Sequence, residues 1–211
     1  MRRKTLRVLV NLFIAVAVPA AWLRMVYGSG NGTLSSTGVN SLKYFTVLSN
    51  LLEGLSALVF LAALPCKRRP RSVEMLKYLG AVSVSLTFVI VMIFLGPLYG
   101  YGGMFAGASF WMHLAIPLAA AAECVLLCDA PFSRRDNLLA VLPMLLYGAW
   151  YVANNLINGV GAWPNTNDWY GFLTWGLPAG IVIFLLIVGL TWLIALILRK
   201  AGARALRRGA P

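Results

Sequence analysis

"KYFTVLSNLLEGLSALVFLAALP", residues 43–65, has the length of a membrane helix and an odd composition for one. About 20 mostly apolar residues cross the hydrocarbon core of a bilayer, yet Thr46, Ser49, Asn50, Glu53 and Ser56 interrupt this run. Thr46, Asn50 and Glu53 fall at i, i+4 and i+7, on one helical face, with Ser49 and Ser56 flanking the stripe. An acidic residue near the centre of a span costs roughly 2.5–3.5 kcal/mol on insertion. That face is therefore expected to turn towards the bundle interior or a wet cavity, away from lipid.

The rest of the chain puts this helix in context. Its 211 residues are 60% hydrophobic, with a mean hydropathy of +0.80, too apolar for a soluble domain of this length. Six apolar runs are each long enough to span, near 8–27, 42–65, 78–98, 109–128, 138–157 and 171–198. Eighteen Lys and Arg against six Asp and Glu give a net charge of +12. In a soluble protein that balance suggests nucleic acid. Here the basic residues cluster between apolar runs, so no nucleic-acid partner is expected and the bilayer accounts for the charge. Sixteen of the eighteen lie before the first run, between the second and third, between the fourth and fifth, or after the sixth; Arg24 and Lys43 are the exceptions. The positive-inside rule then places both termini in the cytoplasm. The expected fold is an all-α membrane protein, one six-transmembrane-helix bundle over residues 1–211 with short antiparallel connections. The first span is expected to stay uncleaved, because its apolar run continues to Trp22 and Tyr27. High basicity and short tails point to a bacterial cytoplasmic membrane.

Two outer loops differ in character. "GSGNGTLSSTGVNS" is rich in Gly, Ser and Thr and contains an Asn31-Gly32-Thr33 sequon. "NGVGAWPNTNDWYG" mixes aromatic and polar residues and reads either as an ordered cap over the bundle mouth or as interfacial anchors for two helix ends. Cys124 and Cys128 are one turn apart without further soft ligands, so no metal site, cofactor or disulfide framework is expected.

Two other spans carry polar groups. The fourth holds the only histidine, in "FWMHLAIPLAAAAECVLL". His113 and Thr46 each lie about one turn inside an outer helix end, roughly 6 Å below the boundary, so their side chains share a depth. Glu123 lies about 15 Å further along the same helix and Glu53 about 10 Å below Thr46, which allows the two carboxylates to approach near mid-membrane. In the fifth span Tyr147, Tyr151, Asn154 and Asn158 form a second stripe, placing Asn154 and Asn158 in the outer half. Each residue alone has a plainer reading: Thr bonding its own helix backbone, His, Asn and Tyr gluing helices, a protonated Glu serving structure. From the residues, enzyme, transporter and structural bundle all stay open.

"KYFTVLSNLL" followed by "HLAIPLAAAAE" resembles the androgen-induced membrane hydrolase family and small bacterial six-span membrane proteins related to it. The matching positions are Thr46, Asn50, His113, Pro117 and Glu123, and the resemblance covers roughly residues 40–135, continuing weakly into the aromatic outer loop. It implies an intramembrane threonine hydrolase acting on a lipid ester of the fatty acid ester of hydroxy fatty acid type, a membrane lipid being the substrate. Carried over, Thr46 is the nucleophile and His113 its base and acid. Asn50 or Asn154 donates to the oxyanion, and Glu53, Glu123 and Tyr151 support the pocket, Glu123 as a structural or cavity acid. The segment Trp163–Trp169 covers the entrance. The alternatives are a small proton-coupled transporter, with Glu53 and Glu123 as coupling acids, and a non-catalytic lipid-binding protein.

Overall fold

The computed structural model describes residues 2–27, 38–66, 69–129, 131–162 and 166–208, with no statement about the side chain of Arg2. The Asn31 sequon, most of the Gly/Ser/Thr-rich loop and Trp163 lie outside the described residues. Each expected span is mostly helical, with turns at several of its ends, and no strand occurs among the described residues. Six helices are long and apolar enough to cross a membrane: α1 (Arg2–Tyr27), α2 (Phe45–Ala62), α3 (Arg71–Tyr99), α4 (Ala108–Leu127), α5 (Arg134–Asn158) and α6 (Leu177–Arg208). This is the architecture of a multi-pass integral membrane protein.

The start of α1 and the last turns of α6 lie at the end of the bundle that carries the basic clusters. Arg3 Nη2 donates to Cys128 O just beyond α4 (3.1 Å), and Gly202 of α6 packs against the carbonyl of Cys124. The start of α3 joins them through Arg71, which donates to Pro131 O and pairs with Asp136. This end is called the basic end below.

Two helix boundaries move from their expected places. α3 starts at Arg71, after Pro70, a full two turns before the apolar run begins. The extra turns hold Glu74 and Lys77, which the hydropathy pattern leaves in the loop. They remain helical because they are buried against partners from other helices rather than against lipid. α6 starts at Leu177 because Gly171 and Gly176 take positive φ (69° and 88°) and break the chain into turns before it. That is the left-handed region where a Cβ is strained.

The core is made by α1 to α4, with α5 adding Ala140, Met144, Tyr147 and Tyr151 and α6 closing one side through Ile194, Ala195 and Leu198. Close approach depends on small residues, as expected where lipid offers no hydrophobic drive between helices. A Cβ on Gly54 of α2 would sit 2.9 Å from Val18 Cγ1 of α1. One on Gly80 of α3 would sit 3.0 Å from the Cα of Glu53. The latter fixes the α2–α3 distance where the buried carboxylate lies.

α3 and α4 are not regular. π-helical turns span Val91–Leu95, Trp111–Ala115 and Glu123–Leu127. The first two each end two residues before a proline, Pro97 or Pro117. Proline lacks the N–H that would bond the carbonyl four residues back, here Ile93 or His113, so the ladder is open where the wider turn forms. Such turns are frequent at functional sites. Two of the three hold His113 and Glu123.

Candidate functional site

The polar residues of α2 separate into two regions. At the outer level, Asn50 is buried and its Nδ2 donates both to Thr46 O (2.7 Å) and to Met112 O (3.1 Å). One amide thus clamps the backbone of Thr46 to the residue preceding His113, and the expected match in depth is present. Met112 packs with Val47, Ala21 and Met25 beneath this clamp. Ser49 Oγ and Thr87 Oγ1 meet at 3.1 Å and tie α3 to the same level.

His113 is buried, and its Nδ1 lies 2.8 Å from Met104 O. A carbonyl only accepts, so Nδ1 carries a hydrogen and the neutral ring presents a lone pair at Nε2. Neither Nε2 nor the half-buried Thr46 hydroxyl has a hydrogen-bond partner among the described residues, and the two are not bonded to each other. The Oδ1 of Asn50 is buried without a partner.

The second region, at the basic end, is ionic. Arg7 grips Glu74 with both Nη atoms (2.7 and 3.1 Å), and its Nε donates to Glu123 Oε1 (3.0 Å). Lys77 Nζ pairs with Glu123 Oε2 (2.9 Å) and makes a very short contact with Glu53 Oε1. Asn11 Nδ2 donates to Glu123 Oε1 (2.8 Å), and Ser56 Oγ lies 3.0 Å from Glu53 Oε2. Arg69 and the half-exposed Asp129 close the network towards the surface. Four helices contribute, and Glu53, Asn11 and Glu123 are at most 1% exposed. A small cavity bordered by Arg7, Lys77, Glu123, Cys124 and Phe132 lies beside it.

The expected residues therefore divide. Asn50 joins the Thr46 carbonyl to Met112 O, one residue before His113, while the Thr46 and His113 side chains are not bonded to each other. Glu53 and Glu123 do meet, through Lys77, but in the ionic cluster and away from His113. Tyr151 belongs to neither: it hydrogen-bonds Asp168, under the outer loop. Asn154 is only half-buried and accepts from the exposed Asn158 (2.9 Å). The buried amide of α5 is Asn155, which donates to Tyr151 O and Asn167 O. Arg7, Asn11, Glu74 and Lys77 were not among the expected site residues. Arg7, Glu74 and Lys77 have the appearance of loop or positive-inside charges. The available signals are Arg7 and Asn11 at i, i+4, and a chain with only six acids that places three of them within or next to apolar runs.

The outer loop is an ordered cap over α5 and the start of α2. Tyr147 Oη donates to Lys43 O (2.7 Å), Trp169 Nε1 donates to Tyr147 Oη (3.1 Å), and Phe45 N donates to Tyr170 Oη (2.9 Å). Burial pushes the Tyr170 hydroxyl up to about 12, so it stays neutral at physiological pH. Behind the cap, between α5 and α6, lies an apolar cavity of about 50 Å³ bordered by Met144, Tyr147, Tyr151, Phe172, Leu177 and Phe184. The ring of Phe45, the neighbour of Thr46, stands 5.2 Å from that of Tyr147 at its edge.

Fold and side-chain contacts together define a six-helix polytopic membrane protein with an Asn50-centred polar contact between α2 and α4 at one level and a buried ionic cluster at another. No protein-family model matches the chain, and neither does any curated protein or solved structure.

Proposed function

We propose that the protein is an intramembrane threonine hydrolase of lipid esters, related to the androgen-induced membrane hydrolases and resident in a bacterial cytoplasmic membrane with its basic end inward. The observation that carries this reading is the Asn50 clamp. It holds the nucleophile's helix against the histidine's, while among the described residues neither the Thr46 hydroxyl nor His113 Nε2 has a hydrogen-bond partner. A purely structural Thr or His spends such atoms on its own helix backbone or on a neighbouring helix.

In this mechanism Thr46 Oγ1 attacks the ester carbonyl carbon and its proton passes to His113 Nε2. Collapse of the tetrahedral intermediate breaks the acyl–oxygen bond, and His113 returns the proton to the leaving alcohol. Water then attacks the acyl-threonine, giving its proton to Nε2; expulsion of Thr46 Oγ1, reprotonated from the imidazolium, releases the fatty acid. The Met104 carbonyl orients the ring and favours the imidazolium, the role a carboxylate fills in triads. The apolar cavity between α5 and α6 suits an acyl chain arriving from the outer leaflet, and the Tyr147–Trp169–Tyr170 cap shields the ester from bulk water.

Labelling of the detergent-purified protein with a fluorescent fluorophosphonate tests this. Wild type should label, and Thr46→Ala and His113→Ala should not. A folded wild type that resists the probe, or a Thr46→Ala variant that still labels, would remove the hydrolase reading.

A further inference from the structure

Among the described residues, the buried part of the ionic cluster holds more carboxylates than cations. Its buried members are Arg7 and Lys77 against Glu53, Glu74 and Glu123, and adding the peripheral Arg69 and Asp129 leaves the same excess of one acid. An uncompensated charge inside a low-dielectric bundle costs several kcal/mol, so the cluster needs one more positive charge. We propose that Glu53 is a proton-binding site: its carboxyl carries a proton on Oε2 and gives it to Ser56 Oγ, while Lys77 stays charged between Glu53 Oε1 and Glu123 Oε2. This does not depend on the chemistry of Thr46.

Donor counting locates the proton. Ser56 Oγ makes two oxygen–oxygen contacts, 2.7 Å to the backbone carbonyl of Glu53 and 3.0 Å to Glu53 Oε2. A serine hydroxyl has one hydrogen to give, and a carbonyl has none. With the serine hydrogen on the shorter contact, a proton on Oε2 supplies the hydrogen for the longer, whereas an ionised carboxylate would have to share that one serine hydrogen with the carbonyl.

The distribution of cations agrees. Glu74 has Arg7 and Arg69, and Glu123 has Arg7 and Lys77, but Glu53 has only a share of Lys77. With Glu53 neutral, Arg7 and Lys77 balance Glu74 and Glu123, and the buried set sums to zero. A metal ion fits poorly, because it needs several free oxygen ligands and the two oxygens of Glu53 face an ammonium and a hydroxyl.

The groups facing this site from each packed element leave the buried count as it is; Arg3, only partly buried and bonded to Cys128 O, adds a cation to the periphery alone. From α1 they are Arg7 and, nearer the surface, Arg3. From α3 they are Glu74, Lys77 and the Tyr78 hydroxyl, which is engaged with Ala195 O (2.6 Å). From α4 and its end they are Glu123, the thiols Cys124 and Cys128, and Asp129. Beyond Tyr78, Arg199 of α6 and Asp136 of α5 act on its hydroxyl.

Infrared difference spectroscopy of the purified protein in D2O against H2O tests the assignment. Wild type at neutral pH should show the carbonyl stretch of a buried protonated carboxylic acid, shifted by deuterium. Glu53→Gln should lose it and keep its melting temperature, since an amide with Oε1 towards Lys77 and Nε2 towards Ser56 reproduces the protonated acid. Ser56→Ala should keep the band and move it to higher frequency. A folded wild type without the band, a band that survives in Glu53→Gln, or a missing band with a melting temperature raised by sodium chloride but not by choline chloride would overturn the proposal.

Discussion

Asn50 and Glu53 are three residues apart on α2, yet they belong to regions built in opposite ways. Around Glu53, salt bridges and charge-assisted hydrogen bonds join four helices, and the acids and bases are engaged with one another. Around Asn50 no charged side chain is engaged, the amide's bonds run to backbone carbonyls, and three polar functions have no partner among the described residues: the Thr46 hydroxyl, His113 Nε2 and Asn50 Oδ1. A region that holds helices together uses its polar atoms on itself. A region that receives a substrate keeps some of them free. The bundle thus separates a cohesive cluster at the basic end from the proposed reactive level at the other, with one turn of helix between them.

The largest expected effect breaks the cohesive side. Arg7 neutralises Glu74 and Glu123 at once, so Arg7→Ala strands two buried carboxylates. Removing one partner of a buried pair costs about 3–5 kcal/mol; a fall of that size in unfolding free energy, followed by denaturant titration in micelles, is the expected outcome. An effect below about 1 kcal/mol, the scale of an exposed ion pair, would show that water reaches the cluster and would erase the contrast with the outer pocket.

The next effect is smaller and tests packing rather than charge. Gly80→Ala puts a methyl 2.1 Å from Glu53 Oε2 and 3.0 Å from its Cα. α3 must then move from α2, and overpacking of this kind costs about 1–3 kcal/mol. The outer pocket holds α2 to α3 through the Ser49–Thr87 contact, which tolerates such a shift better than a ladder of ion pairs. Thermal unfolding of the variant should fall while fluorophosphonate labelling of the surviving fold continues.

How much of this was legible in the sequence follows from the same contrast. The six helices were, since long apolar runs and basic clusters report directly on a bilayer. The stripe Thr46, Asn50 and Glu53 was legible as one face, and so was the common depth of Thr46 and His113, because both depend on rise and rotation along single helices. The division of the stripe between two regions was not, since it depends on which neighbouring helix reaches each residue. Lys77 has the same composition signature as a solvated loop lysine, and only the packing of α3 on α2 makes it a partner of Glu53. Asn154 is in phase with Tyr147 by helical rotation. The returning loop, through Asn167 and Asp168, lies over Asn155 instead. Covering segments decide burial at helix ends, and periodicity within one helix does not report them.

The smallest expected change in stability is also the sharpest test of the contrast, because it lies at the border between the regions. Asn50→Ala deletes two hydrogen bonds to backbone carbonyls and one unpartnered oxygen. Interhelical hydrogen bonds in membrane proteins average about 0.6 kcal/mol and reach about 1.7, so the unfolding free energy should drop by about 1 kcal/mol. Reactivity should respond far more. Without the clamp, Thr46 and Met112 are free to separate, and a displacement of about 1 Å between nucleophile and base costs on the order of 100-fold in rate. Labelling kinetics of Asn50→Ala beside its melting curve therefore give a ratio. A large loss of labelling with a nearly unchanged melt marks Asn50 as the residue that positions a reactive pair. Equal, small losses in both would make the outer level a weaker copy of the cluster beneath it, polar groups serving only to hold helices together.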